Sequence, residues 1–446
     1  MATKEGNLQA PDRQPLDWQN PDFYNKESLY GELERVFDIC HGCRRCVSLC
    51  DSFPTLFDLV DESDTFEVDG VDKDDYMKVV DQCFLCDLCA ETKCPYLPPH
   101  DWAVDFPHLM LRAKAYRFQQ RDSRWRDRII TSTDPVFDTI SVPGIAQTAN
   151  AAARSKPLRK LADQLVGIHP EAPLPEFHSN TLSKRVGTDV GAHLSVKPSE
   201  QTTGKVAIYV TCYGEHNEPQ VVEDMIAVFN HNGIPVKLLN DAKCCGMPKL
   251  ELGDLAKVDK LKDANLPIFL QAIAEGYDIV APIPSCVLMY KQELPLMYPD
   301  DGDIAKVRSA FFDPFEYLGL RHKAGLVQTD FQSSLGKVAY HVACHQRVQN
   351  IGMKTREFLS LIPDTEVTAI ERCSGHDGTY AVKSETYDKA MKIARPVVKR
   401  VQQAEADTFG SDCPMAGRMI AHGLEDDLDA GNAEHPITMV RRAYGV

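Results

Sequence analysis

Cys40-His-Gly-Cys-Arg-Arg-Cys-Val-Ser-Leu-Cys50 and, further on, Cys83-Phe-Leu-Cys-Asp-Leu-Cys-Ala-Glu-Thr-Lys-Cys94-Pro95 contain eight of the fifteen cysteines of this 446-residue chain. Three thiolates spaced two residues apart can reach three corners of one [4Fe-4S] cube from a single short loop, and the fourth corner then needs a cysteine from elsewhere. Structural zinc is the competing reading. A zinc site pairs two CxxC units around one tetrahedral ion and leaves the third in-line cysteine of each run without a role. The spacing therefore predicts cubane clusters and a chain that carries electrons.

In two-cluster ferredoxins the fourth cysteine of each run serves the opposite cluster. On that pattern Cys40, Cys43, Cys46 and Cys94 hold one cluster, and Cys83, Cys86, Cys89 and Cys50 hold the other. Residues 30–110 are accordingly expected to form a helical, two-[4Fe-4S] ferredoxin-like domain.

With 43% hydrophobic and 26% charged residues the composition is that of a globular protein of two to four domains. The net charge of -16, with no long basic block, argues against nucleic acid as a partner. The N-terminal Met1 to Trp18 stretch lacks the apolar core of a secretory signal, and no stretch has the apolar length of a membrane span. Cysteines in an unexported chain are metal ligands more readily than disulfides, so the expected setting is cytoplasmic, with peripheral contact at the inner face of a membrane as one option.

Residues 1–29 are polar and read as a flexible arm. Asp51 to Gln82 is crowded with acids such as Asp58, Asp61, Glu62 and Asp64, a pattern read as a solvated insertion ahead of a docking face. After Pro95 an apolar-periodic helix (Leu109, Ala113, Tyr116) turns basic. Arg112, Lys114, Arg117, Arg121, Arg124, Arg126 and Arg128 surround Phe118 and Trp125, a mixture that suits either a solvated helix or an anionic surface. Residues 111–203 read as a helical segment followed by a Ser/Thr/Gly-rich linker.

The C-terminal half repeats itself. Gly204-Lys-Val-Ala-Ile-Tyr-Val-Thr-Cys212 matches Gly336-Lys-Val-Ala-Tyr-His-Val-Ala-Cys344; Cys244-Cys245-Gly246 matches Cys373-Ser374-Gly375; and Pro284-Ser-Cys286 matches Ser411-Asp-Cys413. Amphipathic stretches at 219–230 and 384–403 lie between the landmarks. Each copy (204–325 and 336–446) therefore reads as an α/β unit that sends its cysteines to strand ends, where open α/β sheets bind ligands.

Cys-x31-Cys-Cys-Gly with another cysteine about 40 residues on resembles the cysteine-rich CCG domain of heterodisulfide reductase and its relatives. The whole plan, including Gly167-Ile-His-Pro-Glu-Ala-Pro-Leu-Pro175, Glu371 to Thr379, Asp412 to Gly417 and His435-Pro-Ile, is similar to the iron–sulfur subunits of anaerobic glycerol-3-phosphate dehydrogenase type. Glycolate and lactate oxidation use the same architecture. The resemblance implies an α/β fold class, with the ferredoxin-like domain followed by two tandem CCG repeats. It also implies a further iron–sulfur cluster on Cys212, Cys244, Cys245 and Cys286.

Fully equipped copies end in Cys-x2-Cys and can hold a non-cubane cluster on five thiolates. Copy one has Met289 at that place; a thioether is a poor ligand there and is expected to pack. Copy two keeps Cys344, Cys373 and Cys413, with Ser374 and Ala416 at the other two places, so it is either a degenerate structural copy or a cluster site completed by His345, His376 or Asp412. Zinc or a bare vicinal thiol pair are the alternatives for copy one. Histidines beside the cysteines (His41, His341, His345, His376) are expected to be structural ahead of tuning cluster potentials.

No glycine-rich dinucleotide fingerprint and no P-loop is present. Oxidation by hydride loss needs a two-electron cofactor such as flavin. By resemblance, the chain is expected to relay electrons from a flavoprotein dehydrogenase, acting on glycerol 3-phosphate or a 2-hydroxy acid, toward quinone or another acceptor, without catalysing a reaction itself. The alternative is a catalytic thiol/disulfide oxidoreductase subunit, against which the missing fifth thiolate weighs.

Overall fold

The side chain of Asn25 accepts the Ser28 backbone N–H and so starts helix Lys26–Cys43. Leu29, Leu33, Val36 and Phe37 form its buried stripe. Cys40 and Cys43 fall three residues apart in the last turn and share a face. Arg44, in the left-handed region (φ 50°), ends the helix and turns the chain toward Cys46. The computed structural model describes residues 13–91, 94–424 and 433–446.

The segment before residue 30 is not an arm from Arg13 onward. Arg13 is buried between Asp87 and Asp105, at 2.9 and 2.6 Å, and Asn20 caps a short 3-10 helix Pro21–Tyr24. Two buried carboxylates need a cation, and this polar segment supplies it. Residues 1–12 of the expected arm lie outside the described residues.

In the acidic stretch, helix Ser52–Asp61 buries Phe53, Leu56, Phe57 and Val60, while Asp58, Asp61, Glu62 and Asp64 face solvent. Helix Phe106–Gln119 is capped by Asp105 and buries Leu109 and Ala113 as its periodicity predicts.

The first repeat is built on β1 (Asp189–Val190), β2 (Val206–Ile208), β3 (Val236–Leu238), β4 (Asp278–Val280) and β5 (Phe311–Phe312), in the spatial order β1-β3-β2-β4-β5. All neighbours are parallel except β1, which runs antiparallel to β3. β1 lies inside 178–203, so part of the expected linker is a sheet edge, and its neighbour Leu182 is fully buried. The second repeat uses β6 (Gly336–His341), β7 (Thr365–Ile370) and β8 (Thr408–Ser411), all parallel, in the order β7-β6-β8. Both repeats thus place their first long strand between the second and third.

The C-terminal helix Pro436–Tyr444 packs back on helix Pro219–His231 of the first repeat, where Arg441 meets the buried Asp224. One continuous apolar core runs from Leu33 and Phe37 through Tyr209 to Val287, joining the N-terminal domain to the first repeat. Among the described residues no helix is long and apolar enough to cross a membrane.

Candidate metal centres

Thiols buried side by side resist ionisation, and the cysteines that do so report their neighbours. Burial, and then Cys94, Cys46 and Cys43, push the Cys40 thiol well above its ordinary value. Burial followed by Cys83, Cys86 and Cys50 does the same to Cys89. Cys50 is pushed to about 12 by burial, with Cys83 the nearest thiol charge. Cys43, Cys46 and Cys94 thus neighbour Cys40, and Cys50, Cys83 and Cys86 neighbour Cys89, with Cys46 also acting on Cys89 and Cys344 and Cys373 on Cys86. Four thiolates enclosed by protein keep their charge only with a cationic centre among them.

In the C-terminal half every cysteine follows the end of a parallel strand: Cys212 after β2, Cys244 and Cys245 after β3, Cys286 after β4, Cys344 after β6, Cys373 after β7 and Cys413 after β8. These strand ends open into a single narrow cavity of about 110 Å³ between the repeats, and all seven cysteines line it. Cys86 of the N-terminal domain lines it as well. Phe84 stacks edge-on against Tyr380 (4.4 Å between centroids), and the Tyr380 hydroxyl donates to Gln82 Oε1 at 2.7 Å, which seats the N-terminal loop on the second repeat.

Within the first repeat Cys212 and Cys245 both hydrogen-bond Cys244, which those bonds hold well below its ordinary value as the thiolate of the group. Cys245 also bonds Cys286. The Gly246 amide donates to the Cys244 sulfur at 3.5 Å, and the Gly375 amide to the Cys373 sulfur at 3.3 Å. Both glycines are left-handed (φ 95° and 71°), and a Cβ on Gly375 would stand 2.2 Å from the Ala390 carbonyl oxygen. That is the physical need behind the glycine of each motif.

Residues 39–97 match the 4Fe-4S dicluster domain, and residues 206–291 and 338–420 match the cysteine-rich domain CCG. The chain carries two CCG domains and a 4Fe-4S dicluster domain. A protein of Escherichia coli K12 that forms part of its anaerobic glycerol-3-phosphate dehydrogenase is 28% identical over 342 residues, 76% of this chain and 82% of that protein. Lactate utilization protein A 1 of Bacillus mycoides is 26% identical over 235 residues, 50% of this chain and 93% of the relative. A component of the fumarate reductase (CoM/CoB) of Methanothermobacter marburgensis is 25% identical over 228 residues, 50% of this chain and 43% of that protein.

Against the full CCG pattern, Met289 is completely buried at the start of a π-helical turn, Met289–Glu293, and packs toward Gly246. Ser374 and Ala416 line the cavity where the pattern has thiols. Among the described residues, no three His, Cys, Asp or Glu side chains are drawn round one point as the ligands of a single ion are. One polar atom in the cavity wall, His345 Nε2 on the second-repeat side, is buried without a hydrogen-bond partner. A sulfur-lined cavity with an orphaned imidazole nitrogen and mutually repelling thiols suits a sulfide-bridged iron cluster.

The other histidines behave differently. His341 is satisfied at both nitrogens, by Ser411 Oγ at 2.8 Å and the Arg372 carbonyl at 2.9 Å, and burial holds it near 4. His41 is on the surface beside Arg44.

Sequence patterns did not single out the residues behind the first repeat. Asp134 accepts the Cys244 amide at 3.1 and 3.0 Å, and burial, then Cys244, push it to about 6. Lys249 is buried and donates to the Arg128 carbonyl, Thr131 Oγ1 and Ser132 Oγ at 3.1, 3.0 and 2.8 Å. The one available signal was Lys249 itself, a lysine directly after the Cys-Cys-Gly-Met-Pro run. These bonds show that residues 128–134 are a wall of the site.

The basic stretch is largely consumed inside the molecule. Arg112 donates to the Phe23 and Asp22 carbonyls, Arg117 pairs with Asp81 and Asp122, Arg124 and Arg126 share Glu385, and Arg128 covers the Phe118 ring. Arg126 is buried by its pairing, whereas the Arg124 side chain stays 67% exposed.

Proposed function

We propose that this chain is the electron-transfer subunit of an oxidoreductase complex. It takes electrons from a flavoprotein dehydrogenase, of glycerol-3-phosphate or 2-hydroxy-acid type as the relatives' names suggest, and passes them toward quinone or another acceptor. The carrying observation is the shared cavity: Cys86 of the N-terminal domain and all seven cysteines of the repeats line one space. Sulfur sites that adjoin in this way favour a relay, since one-electron carriers work by proximity.

In this reading Cys40, Cys43, Cys46 and Cys94 hold the outer [4Fe-4S] cluster, and Cys50, Cys83, Cys86 and Cys89 hold the inner one. Cys212, Cys244, Cys245 and Cys286 hold a third cluster, and Cys344, Cys373 and Cys413 contribute to a fourth. When bound, the clusters supply one-electron carriage. The chain's own residues do the rest. The glycine amides at Cys244 and Cys373 donate to thiolate sulfur, apolar walls exclude water, and the Phe84–Tyr380 contact fixes the domains against each other.

The test is anaerobic purification of the full chain, with iron and acid-labile sulfide counted and the reduced protein followed by EPR. The expected result is multiple [4Fe-4S] signals, reducible by a flavoprotein dehydrogenase. Turnover of glycerol 3-phosphate or lactate by the flavin-free chain alone with a dye acceptor would overturn the relay reading, because a hydride acceptor would then have to reside here.

A further inference from the structure

The second repeat retains three thiolates, and a cubane has four corners to fill. We infer that His345, through Nε2, is the fourth ligand of a cluster held by Cys344, Cys373 and Cys413. The inference rests on the reading that the second repeat carries a cluster.

One cavity collects the donors. Cys344, Cys373 and Cys413 all line it, and His345 is the next residue after Cys344 in the same short helix, Cys344–Arg347. Its side chain lines the sulfur cavity, and its Nε2 is buried with no hydrogen-bond partner. A buried imidazole nitrogen left unpaired is costly unless something fills the gap.

The ring meets the carbonyl of Leu85, which lies between Cys83 and Cys86 in the N-terminal loop. A ring protonated at Nδ1 would present its lone pair at Nε2, the nitrogen without a partner. Ligating histidines are typically oriented in this manner, by donating the second ring nitrogen to a backbone carbonyl or carboxylate. Imidazole is a good ligand for iron, and in Rieske centres histidine replaces cysteine on the cluster itself.

His376 lines the same cavity and is distinguished from His345 by the His376→Ala variant, whereas Asp412 and His341 are spent. Asp412 accepts from the Tyr340 hydroxyl and from Thr355 Oγ1, and His341 is satisfied at both nitrogens. The Ser374 hydroxyl accepts the His376 amide at 3.4 Å. The repeats also compensate in sequence. Copy one has Cys245 and, after Cys212, Tyr213; copy two has Ser374 and, after Cys344, His345. One donor lost at position 374 is matched by one gained at 345, so each copy offers four.

The experiment uses the full chain purified anaerobically with its clusters. Pulsed EPR of the reduced protein, with and without 15N-histidine labelling, should show one histidine nitrogen coupled to a cluster. His345→Ala should lose that coupling and about four irons, while the signals of the two N-terminal clusters persist and show that the chain is folded. His345→Cys should keep the iron and lose the coupling. His376→Ala should keep both.

A wild-type protein whose iron content and EPR are unchanged by Cys373→Ser has no cluster in the second repeat, and both the reading and the inference fall. A second-repeat cluster with no nitrogen coupling, or with a coupling lost in His376→Ala and retained in His345→Ala, overturns the inference alone.

Discussion

The two repeats share one strand order and differ in what stands behind it. In the first, Cys244, Cys245 and Cys286 are 4, 3 and 5% exposed, and a wall from residues 128–134 backs the cysteine loop through Asp134 and Lys249. In the second, all three cysteines are partly open, β7 is fully buried only at Ile370, and the backing comes from the N-terminal loop through Phe84 and Leu85. Strand topology fixes where ligand loops emerge. The neighbours decide how many donors reach the space and how dry it is.

The largest expected effect breaks the repeats apart. Cys286→Ser should remove about four irons from the first repeat alone, and Cys413→Ser about four from the second alone, as counted by iron analysis and Mössbauer spectroscopy. If either substitution emptied both repeats, the cavity would hold a single shared assembly.

Cys50→Ser probes the boundary between the N-terminal domain and the second repeat. It should abolish the EPR signal of the cluster on Cys83, Cys86 and Cys89 and spare the one on Cys40, Cys43 and Cys46. The reverse pattern would mean that the runs do not exchange their fourth ligands.

A smaller effect should single out the first repeat's wall. Lys249→Met leaves three buried or part-buried oxygens without their donor, at a cost of about 1–3 kcal/mol. Thermal unfolding should show a lower Tm, with the second-repeat cluster signal unchanged. An unchanged Tm would remove Lys249 from the account of why the first repeat is the better enclosed.

The smallest effect concerns pH and the helix that docks the second repeat on the first. His435 caps helix Pro436–Tyr444 by accepting the Ile437 amide at 3.1 Å, and burial holds its pKa at about 4. The unfolded chain, with an ordinary histidine near 6.5, binds the proton first as pH falls. The stability from neutral His435 is therefore full above about 6.5 and is lost as pH drops toward about 4. His435→Asn keeps a capping oxygen and should flatten the stability–pH slope in that window by about one proton. Identical slopes in denaturant titrations would place the pH dependence on other groups.

Much of this was legible in the sequence for identifiable reasons. Cysteine spacing is local, and a helix end followed by a left-handed turn at Arg44 needs only nearby residues to present Cys40, Cys43 and Cys46. The repeat was legible because each landmark follows a short apolar strand, and the parallel strands at 206–208 and 336–341 read as continuous buried runs. The flexible arm expected before residue 30 gives way from Arg13 onward because polarity alone does not reveal a buried partner, and Arg13 finds Asp87 and Asp105 across more than seventy residues. The basic helix invited an external partner for the same reason: Glu385, which takes up Arg124 and Arg126, is more than 250 residues away in sequence.

The sequence by itself determined which cysteines are candidate ligands, how they are grouped in loops, and that the C-terminal half is one unit used twice, because those properties follow from residue type and short-range spacing. Only the tertiary structure decided that both repeats and Cys86 open on the same cavity. It alone distinguished the histidine with an unpaired nitrogen from its hydrogen-bonded neighbour His341, and assigned the arginines to internal carboxylates. Those outcomes depend on contacts between distant segments, where burial sets the cost of every unpaired polar group and no local pattern records the partner that relieves it.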